Sequence, residues 1–281
     1  MAEVRLIQYK KWKSWKPVLA VSLLFLLLLL CGYTFLYLKH DPTLTNIGQR
    51  LQGSSMLHPL GTDHLGRDVL TRLVLGFRLT VGYSLLALLI AVLIGIPLGL
   101  IAGFKGGILD RLFMRIGDGF LAFPETIIAI VLSGLLGPGI VNLIFAIVLA
   151  KWVKYARLVR STVMAEVQKD YIMAAKINGL SAGKIMSKHL LPHIIGNVAV
   201  TASLDFGKII LLISSLSYIG LGAQPPTPEW GAMLNESRPY FQMNPELMAY
   251  PGIAIVVVVL ISNILGDWLR DRFDVKKEVD L

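Results

Sequence analysis

Six apolar runs, at residues 17–38, 80–104, 120–136, 139–153, 194–219 and 247–265, alternate along the chain with shorter polar segments. A bilayer core about 30 Å thick asks for about 20 apolar residues per helix. The pattern therefore predicts an all-α integral membrane protein with six transmembrane helices. The third and fourth runs are short, and Gly137, Pro138 and Gly139 put a tight turn between them. One polar segment has helical signals of its own. In residues 170–193, DYIMAAKINGLSAGKIMSKHLLPH, Asp170 can cap a first short helix and Gly179 can end it, while Ser181 can cap a second and Pro192 can stop it. The segment carries Lys176, Lys184 and Lys188, so a bilayer cannot hold it. A charged helical hairpin projecting from a membrane domain is a candidate docking element for a soluble partner.

Composition agrees with the pattern: 55% of residues are hydrophobic and 16% charged, beyond the usual globular range. A net charge of +9 would suit nucleic acid, but the basic residues lie between apolar runs and not along one face. They are read as topology signals, with no nucleic-acid partner expected. With the N-terminus inside, the inner segments hold 20 of the 27 Lys and Arg, which places both termini and the 170–193 hairpin in the cytoplasm. The first run competes with a signal-peptide reading, but it is longer than the usual core of about 7 to 15 residues and no small-x-small site follows it. Cys31 is the only cysteine, so no internal disulfide is available. The expected division is a cytoplasmic tail at 1–16, a first helix and outer loop at 17–79, a membrane core at 80–266 with a cytoplasmic loop at about 154–193, and a cytoplasmic tail at 267–281.

Two outer segments carry helical signals. In the loop before the second run, Val69, Leu70, Leu73, Val74 and Phe77 recur at helical spacing, with Asp68 and Arg72 as i,i+4 partners, which predicts a short helix in the outer interface. Asp63, His64 and Asp68 are poor metal ligands as a group, because Arg67 adds positive charge and no second His or Cys joins them. After the fifth run, Thr227 can cap a helix with Pro228 first and Glu229 in its opening turn, leaving Trp230, Met233, Leu234 and Phe241 to face lipid headgroups or the helix bundle. Within the second run, Gly95, Gly99 and Gly103 recur every four residues around Pro97; close helix packing and a mobile gate are both open readings.

Candidate chemistry is sparse. Gly179, Gly183 and Lys184 fall short of a phosphate-binding P-loop, with three residues between the glycines and Ile185 after the lysine, so the chain does not bind ATP by that route. His189 and His193 have zinc-helix spacing, but Pro192 falls between them and no Glu follows His189. No serine-based catalytic arrangement is visible. Asp205 and Lys208 are different: a charge at the bilayer centre costs about 2.5 to 3.5 kcal/mol, so the two either pair at i,i+3 as a neutral structural unit or line a polar pathway. Glu125, beside Pro124, is read as interfacial.

The hairpin resembles the cytoplasmic EAA loop of binding-protein-dependent ABC importer permeases. Ala174, Ala175, Gly179, Leu191 and Pro192 match it, while Met173 stands where Glu is usual and His189 where an aliphatic is usual. Three further segments resemble the dipeptide, oligopeptide and nickel branch of that family: LGTDHLGRD at 60–68, with Gly61, Thr62, Asp63, Gly66, Arg67 and Asp68; GLGAQPPTPEWGAML at 220–234, with Pro228, Glu229, Trp230 and Gly231; and GDWLRDRFD at 266–274. The resemblance implies a type I importer permease fold in a bacterial-type inner membrane. It also implies a non-catalytic subunit that pairs with a homologous permease, so that two ATPase subunits dock on the EAA loops of the pair, here through residues 173–192, and an extracytoplasmic binding protein delivers the solute. ATP and Mg would then reside in the ATPase subunits, with no cofactor or metal held by this chain. Asp205 with Lys208, and KWVKYARLVRS at 151–161, look more like nickel or metal-chelate permeases than peptide ones. An ion-coupled secondary transporter is the alternative from another class, and it would bring internal repeats with broken helices.

Overall fold

The structure, a computed structural model, describes residues 41–274 together with Ser22, Leu29 and Gly32. The expected helix at 17–38 and the end of the C-terminal tail otherwise lie outside the described residues. Helices dominate: α1 (Val69–Lys105), α2 (Gly107–Leu121), α3 (Glu125–Leu136), α4 (Ile140–Val167), α5 (Asp170–Ile177), α6 (Ala182–Ile185), α7 (Leu191–Tyr218), α8 (Trp230–Ser237) and α9 (Glu246–Asp274). Among the described residues, three stretches are long and apolar enough to cross a membrane: α1, the run from Ala182 to Tyr218, and α9. Counting the bent pair α2 and α3 as one span adds a fourth. The described residues thus account for part of the expected six.

α1 is a single helix of 37 residues. Its start is fixed by Asp68, whose carboxylate accepts the Thr71 N–H at 2.7 Å. The residues from Val69 to Phe77, expected as a separate interfacial helix, are its first turns; Val69 and Phe77 are buried, the latter tilted against Trp230. Further along, a Cβ placed on Gly95, Gly99 or Gly103 would overlap Tyr155, Ala156 or Val163 of α4. These glycines therefore serve close packing of α1 on α4.

The third apolar run is not one helix. α2 ends at Leu121, Pro124 precedes α3, and the two axes meet at 87°. Proline biases the residue before it away from helical geometry and lacks the N–H that a continuing helix needs. α2 is held to α4 by ion pairs from Arg160 to Asp110 and from Arg157 to Asp118. The fourth run is longer than its apolar part: α4 covers 28 residues, about 42 Å, because its helix continues through Lys151, Lys154, Arg157 and Arg160.

Pro192 also acts differently from expectation. It does not stop a helix; Met186–Leu190 form a π-turn, and Pro192 sits in the first turn of α7. The wider turn accommodates a ring that would collide with the carbonyl four residues back in a regular helix. From Ala182 to Tyr218 the chain is one helical stretch of 37 residues. One continuous core joins α1, α4 and α7 with Ile172, Ala175, Ile185 and Leu190 of the hairpin.

Candidate functional site

Three groups of residues carry the chemistry, and the hairpin comes first. Asp170 opens α5 without a side-chain cap, and Ser181 likewise provides none for α6. The reversal is set by backbone instead: Gly179 has φ +74°, its N–H donates to Lys176 O at 3.0 Å, and Leu180 N–H donates to Ala175 O at 3.1 Å. This is the Schellman closure that favours glycine. α5 has two faces. Ile172 and Ala175 are buried, which for Ile172 contributes about 1.5 to 3 kcal/mol. On the other face Met173 is 60% and Ile177 80% exposed, beside exposed Ala174 and Gly179. Of the two alanines expected to admit a docking partner, Ala175 is spent on the internal core and Ala174 is open. Leu191 is half-buried and Pro192 exposed. Behind α5, Tyr171 Oη donates to Glu166 at 2.6 Å and Lys169 Nζ to the same carboxylate at 2.8 Å. Burial, then the bond to Glu166, pushes the Tyr171 phenol up to about 12. The Tyr171 ring lies 6.2 Å from that of His189 and 6.0 Å from that of His193.

The second group lies at the middle of the bundle. Asp205, midway along α7, is 1% exposed. Its expected partner Lys208 is 65% exposed and reaches only to 4.0 Å. The near partner is Lys154 of α4, whose Nζ donates to both carboxylate oxygens at 2.7 Å, while Tyr155 Oη donates to Oδ2 at 3.0 Å. The i,i+3 pair is thus a loose one, and the close contact is a link between α4 and α7. A second link joins buried Lys151 to Glu125 at 2.8 Å, so Glu125 ties α3 to α4. Lys154 and Tyr155 were the residues that sequence spacing missed; two lysines three apart in an otherwise apolar run were the available signal.

The third group is at the start of α1. Gly61 and Gly66 have φ +76° and +74°, and a Cβ on either would overlap backbone at Gln52 or Asn46. They let the loop fold back so that Thr62 pairs with Asp68. Asp63 accepts from Arg67 Nε at 2.6 Å; Arg67 and Arg72, both 1% exposed, each donate to Glu236 Oε2 at 2.8 Å. Asp68, expected beside Arg72, instead caps α1 and shares a 2.9 Å hydrogen bond with His58 Nδ1. The helix after the fifth run begins at Trp230, with buried Glu229 as its cap rather than Thr227. The Glu229 carboxylate accepts from Ala232 N–H and from Thr80 Oγ1, both at 3.0 Å. Trp230 Nε1 donates to Leu73 O at 2.9 Å, and a Cβ on Gly231 would overlap Ser214 of α7. Pro228 presses its carbonyl against Gly76. These motif residues therefore bind α1, α7 and α8 together, and Trp230 and Met233 face the bundle while Phe241 is exposed.

His64 stacks on Tyr240 with centroids 5.2 Å apart. Burial, opposed by Asp63 and Glu236, lowers its pKa from the ordinary value of about 6.5. Below that ordinary value the unfolded chain binds a proton that the folded one does not, so stability present at higher pH is lost as pH falls. The melting temperature of the detergent-solubilised protein is expected to drop more steeply below about pH 6.5 than that of His64→Phe, which keeps the stack. Parallel pH curves would remove this role from His64.

Residues 95–279 match the family described as the binding-protein-dependent transport system inner membrane component. The nickel transport system permease protein NikC of Escherichia coli is 37% identical over 260 residues, covering 92% of this chain and 94% of that protein. The dipeptide transport system permease protein DppC of Alkalihalophilus pseudofirmus is 44% identical over 232 residues, covering 83% and 76%. The glutathione transport system permease protein GsiD of Pectobacterium atrosepticum is 40% identical over 225 residues, covering 80% and 75%. Among solved structures, the MetNI methionine ABC transporter in an inward-facing form aligns with a TM-score of 0.53 and 19% identity, over 68% of this chain and 92% of that one, a likeness of fold alone. ABC importer permeases work with ATPase subunits and a second permease. With the family matched over residues 95–279 and the relatives over most of its length, the chain belongs to the binding-protein-dependent inner membrane components and is a multi-pass permease subunit of an ABC importer.

Proposed function

We propose that this permease imports nickel as a chelate, with both termini and the α5–α6 hairpin in the cytoplasm. Its partners are a homologous permease, two ATPase subunits that hold ATP and Mg, and an extracytoplasmic binding protein that delivers the solute. The chain itself is non-catalytic and carries no cofactor. The observation that carries the mechanism is continuity: α6 runs through the π-turn into α7, which bears Asp205 at its middle. A displacement imposed on the exposed Met173, Ala174 and Ile177 face is transmitted through packed Ile172, Ala175 and Ile185 to a helix of the bundle core. Packed elements move as units and not by continuous deformation, so closure of the ATPase pair would tilt α7 against α4.

The nickel reading is supported by the relative that matches over nearly the whole of both chains. A chelate rather than the bare ion fits the core charges: Asp205 is neutralised by Lys154 and Glu125 by Lys151. A short peptide is the second reading, favoured by the 44% identity to a dipeptide permease. The test is ATP-driven uptake by the complete importer in proteoliposomes. Nickel citrate is expected to enter and dialanine not to; the reverse result would replace nickel by peptide. Uptake driven by an ion gradient without ATP would overturn the importer mechanism.

A further inference from the structure

We infer that Lys208 and Lys154 form a cationic contact for a carboxylate of the passing solute, at mid-depth in the translocation pathway. The inference rests on the importer reading above and names the chemistry of its pathway site.

Lys154 and Asp205 lie at the middles of α4 and α7, and Lys208 follows less than one turn later on α7. Both ammonium groups converge on one carboxylate oxygen, at 2.7 Å from Lys154 and 4.0 Å from Lys208. Asp205 also accepts from Tyr155, and it is 1% exposed. Its single negative charge is therefore shared between two positive ones, and the cluster keeps a net positive charge; the contact with Asp205 brings Lys154 to the depth of the apolar run of α7 and not into the cytoplasmic loop where spacing had put it. The side chains are unequal: Lys154 is 42% exposed and Lys208 65%, so the positive surface of the cluster is open while its negative member is covered.

An open ammonium halfway along a membrane-spanning helix needs an explanation. Lysines near helix ends reach the headgroups by extending their stems. Lys208 lies about 15 Å from the Tyr218 end of α7 at 1.5 Å per residue, beyond the reach of a four-carbon stem. Charges so placed face a water-filled cavity or the bundle interior and mark substrate routes. Asp205 holds Lys154 in place and Tyr155 holds Asp205, so the cluster is organised before a ligand arrives. The ligand it suits is an anion with an accessible carboxylate, such as an organic-acid chelate of a metal ion or a peptide C-terminus. A bare cation would be repelled.

The test uses the whole importer in proteoliposomes with Lys208→Gln, Lys208→Arg and Lys208→Glu. Each is assayed with nickel citrate, nickel chloride, dialanine and dialanine amide. For whichever carboxylate-bearing solute the wild type carries, Lys208→Gln is expected to lower uptake about tenfold, the loss of one charge-assisted contact. Lys208→Glu should lower it further, and Lys208→Arg should restore most of it. Uptake of nickel chloride by the wild type, unchanged or improved in Lys208→Gln, would overturn the proposal. So would a Lys208→Gln subunit that no longer co-purifies with its partners, which would assign Lys208 to an interface with the second permease. If the wild type carries dialanine but no nickel, the nickel reading fails while the carboxylate contact is still tested. If it carries none of the four with ATP, the nickel and dipeptide readings fail together, and the carboxylate contact argued from them falls with them.

Discussion

Gly179→Leu is expected to reduce ATP-driven uptake at least tenfold while the subunit still inserts and reaches the membrane in normal amount. Two physical effects act together. A non-glycine residue at φ +74° sits in the left-handed region and costs about 1 to 2 kcal/mol. No atom approaches the position of a Cβ on Gly179, so a leucine there would project outward, next to the open face of α5. The internal core beneath is untouched, so beyond that local backbone cost the damage is to docking. Gly179→Asn, which tolerates this backbone region, should lie between the two. Uptake at the wild-type rate in Gly179→Leu would remove the reversal from the coupling surface.

Glu236→Ala is expected to lower stability by about 3 to 5 kcal/mol, read as a large drop in melting temperature and in assembled protein. Arg67 and Arg72 are both buried, and both donate to the same Glu236 oxygen. Removing the carboxylate leaves two guanidinium groups with Asp63 as their nearest remaining anion, which already accepts from Arg67 at 2.6 Å and lies 3.5 Å from Arg72, and Arg72 keeps only the Pro42 and Pro226 carbonyls besides, at 3.1 and 3.2 Å. Glu236→Gln retains an acceptor and should lose less. A melting temperature unchanged by Glu236→Ala would show that water enters the cluster and screens it.

How much of this was legible in the sequence depended on range. Apolar runs gave α1, α7 and α9, because burial in lipid demands uninterrupted apolar length whatever the neighbours are. Local backbone rules were reliable where they concern a turn, as at Gly179. They were unreliable where a helix could adapt: the rule that ends a helix at proline was not applied at Pro124, where the chain does bend and the 120–136 run is broken, and it failed at Pro192, where five residues of π-turn absorb the ring. Charged partners were the largest loss. Asp205 was matched to Lys208, and Asp68 to Arg72, because i,i+3 and i,i+4 neighbours are the only ones that spacing reveals. The real partners, Lys154 for Asp205 and Glu236 for Arg72, lie 51 and 164 residues away. Only the packing of α4 on α7, and of α8 beside α1, brings them together. Glu229 shows the same limit: its place as the cap of α8 and partner of Thr80 needs α1 alongside.

The central claim is that the open face of α5 receives an ATPase subunit. The most direct measurement is labelling of Met173→Cys, in a Cys31→Ser background, by a membrane-impermeant maleimide on inside-out vesicles. Without the ATPase subunits the thiol should react rapidly, as 60% exposure of Met173 implies. With them assembled, labelling should be protected at least tenfold, and Ile177→Cys should behave alike. Equal labelling with and without the ATPase subunits would contradict the account.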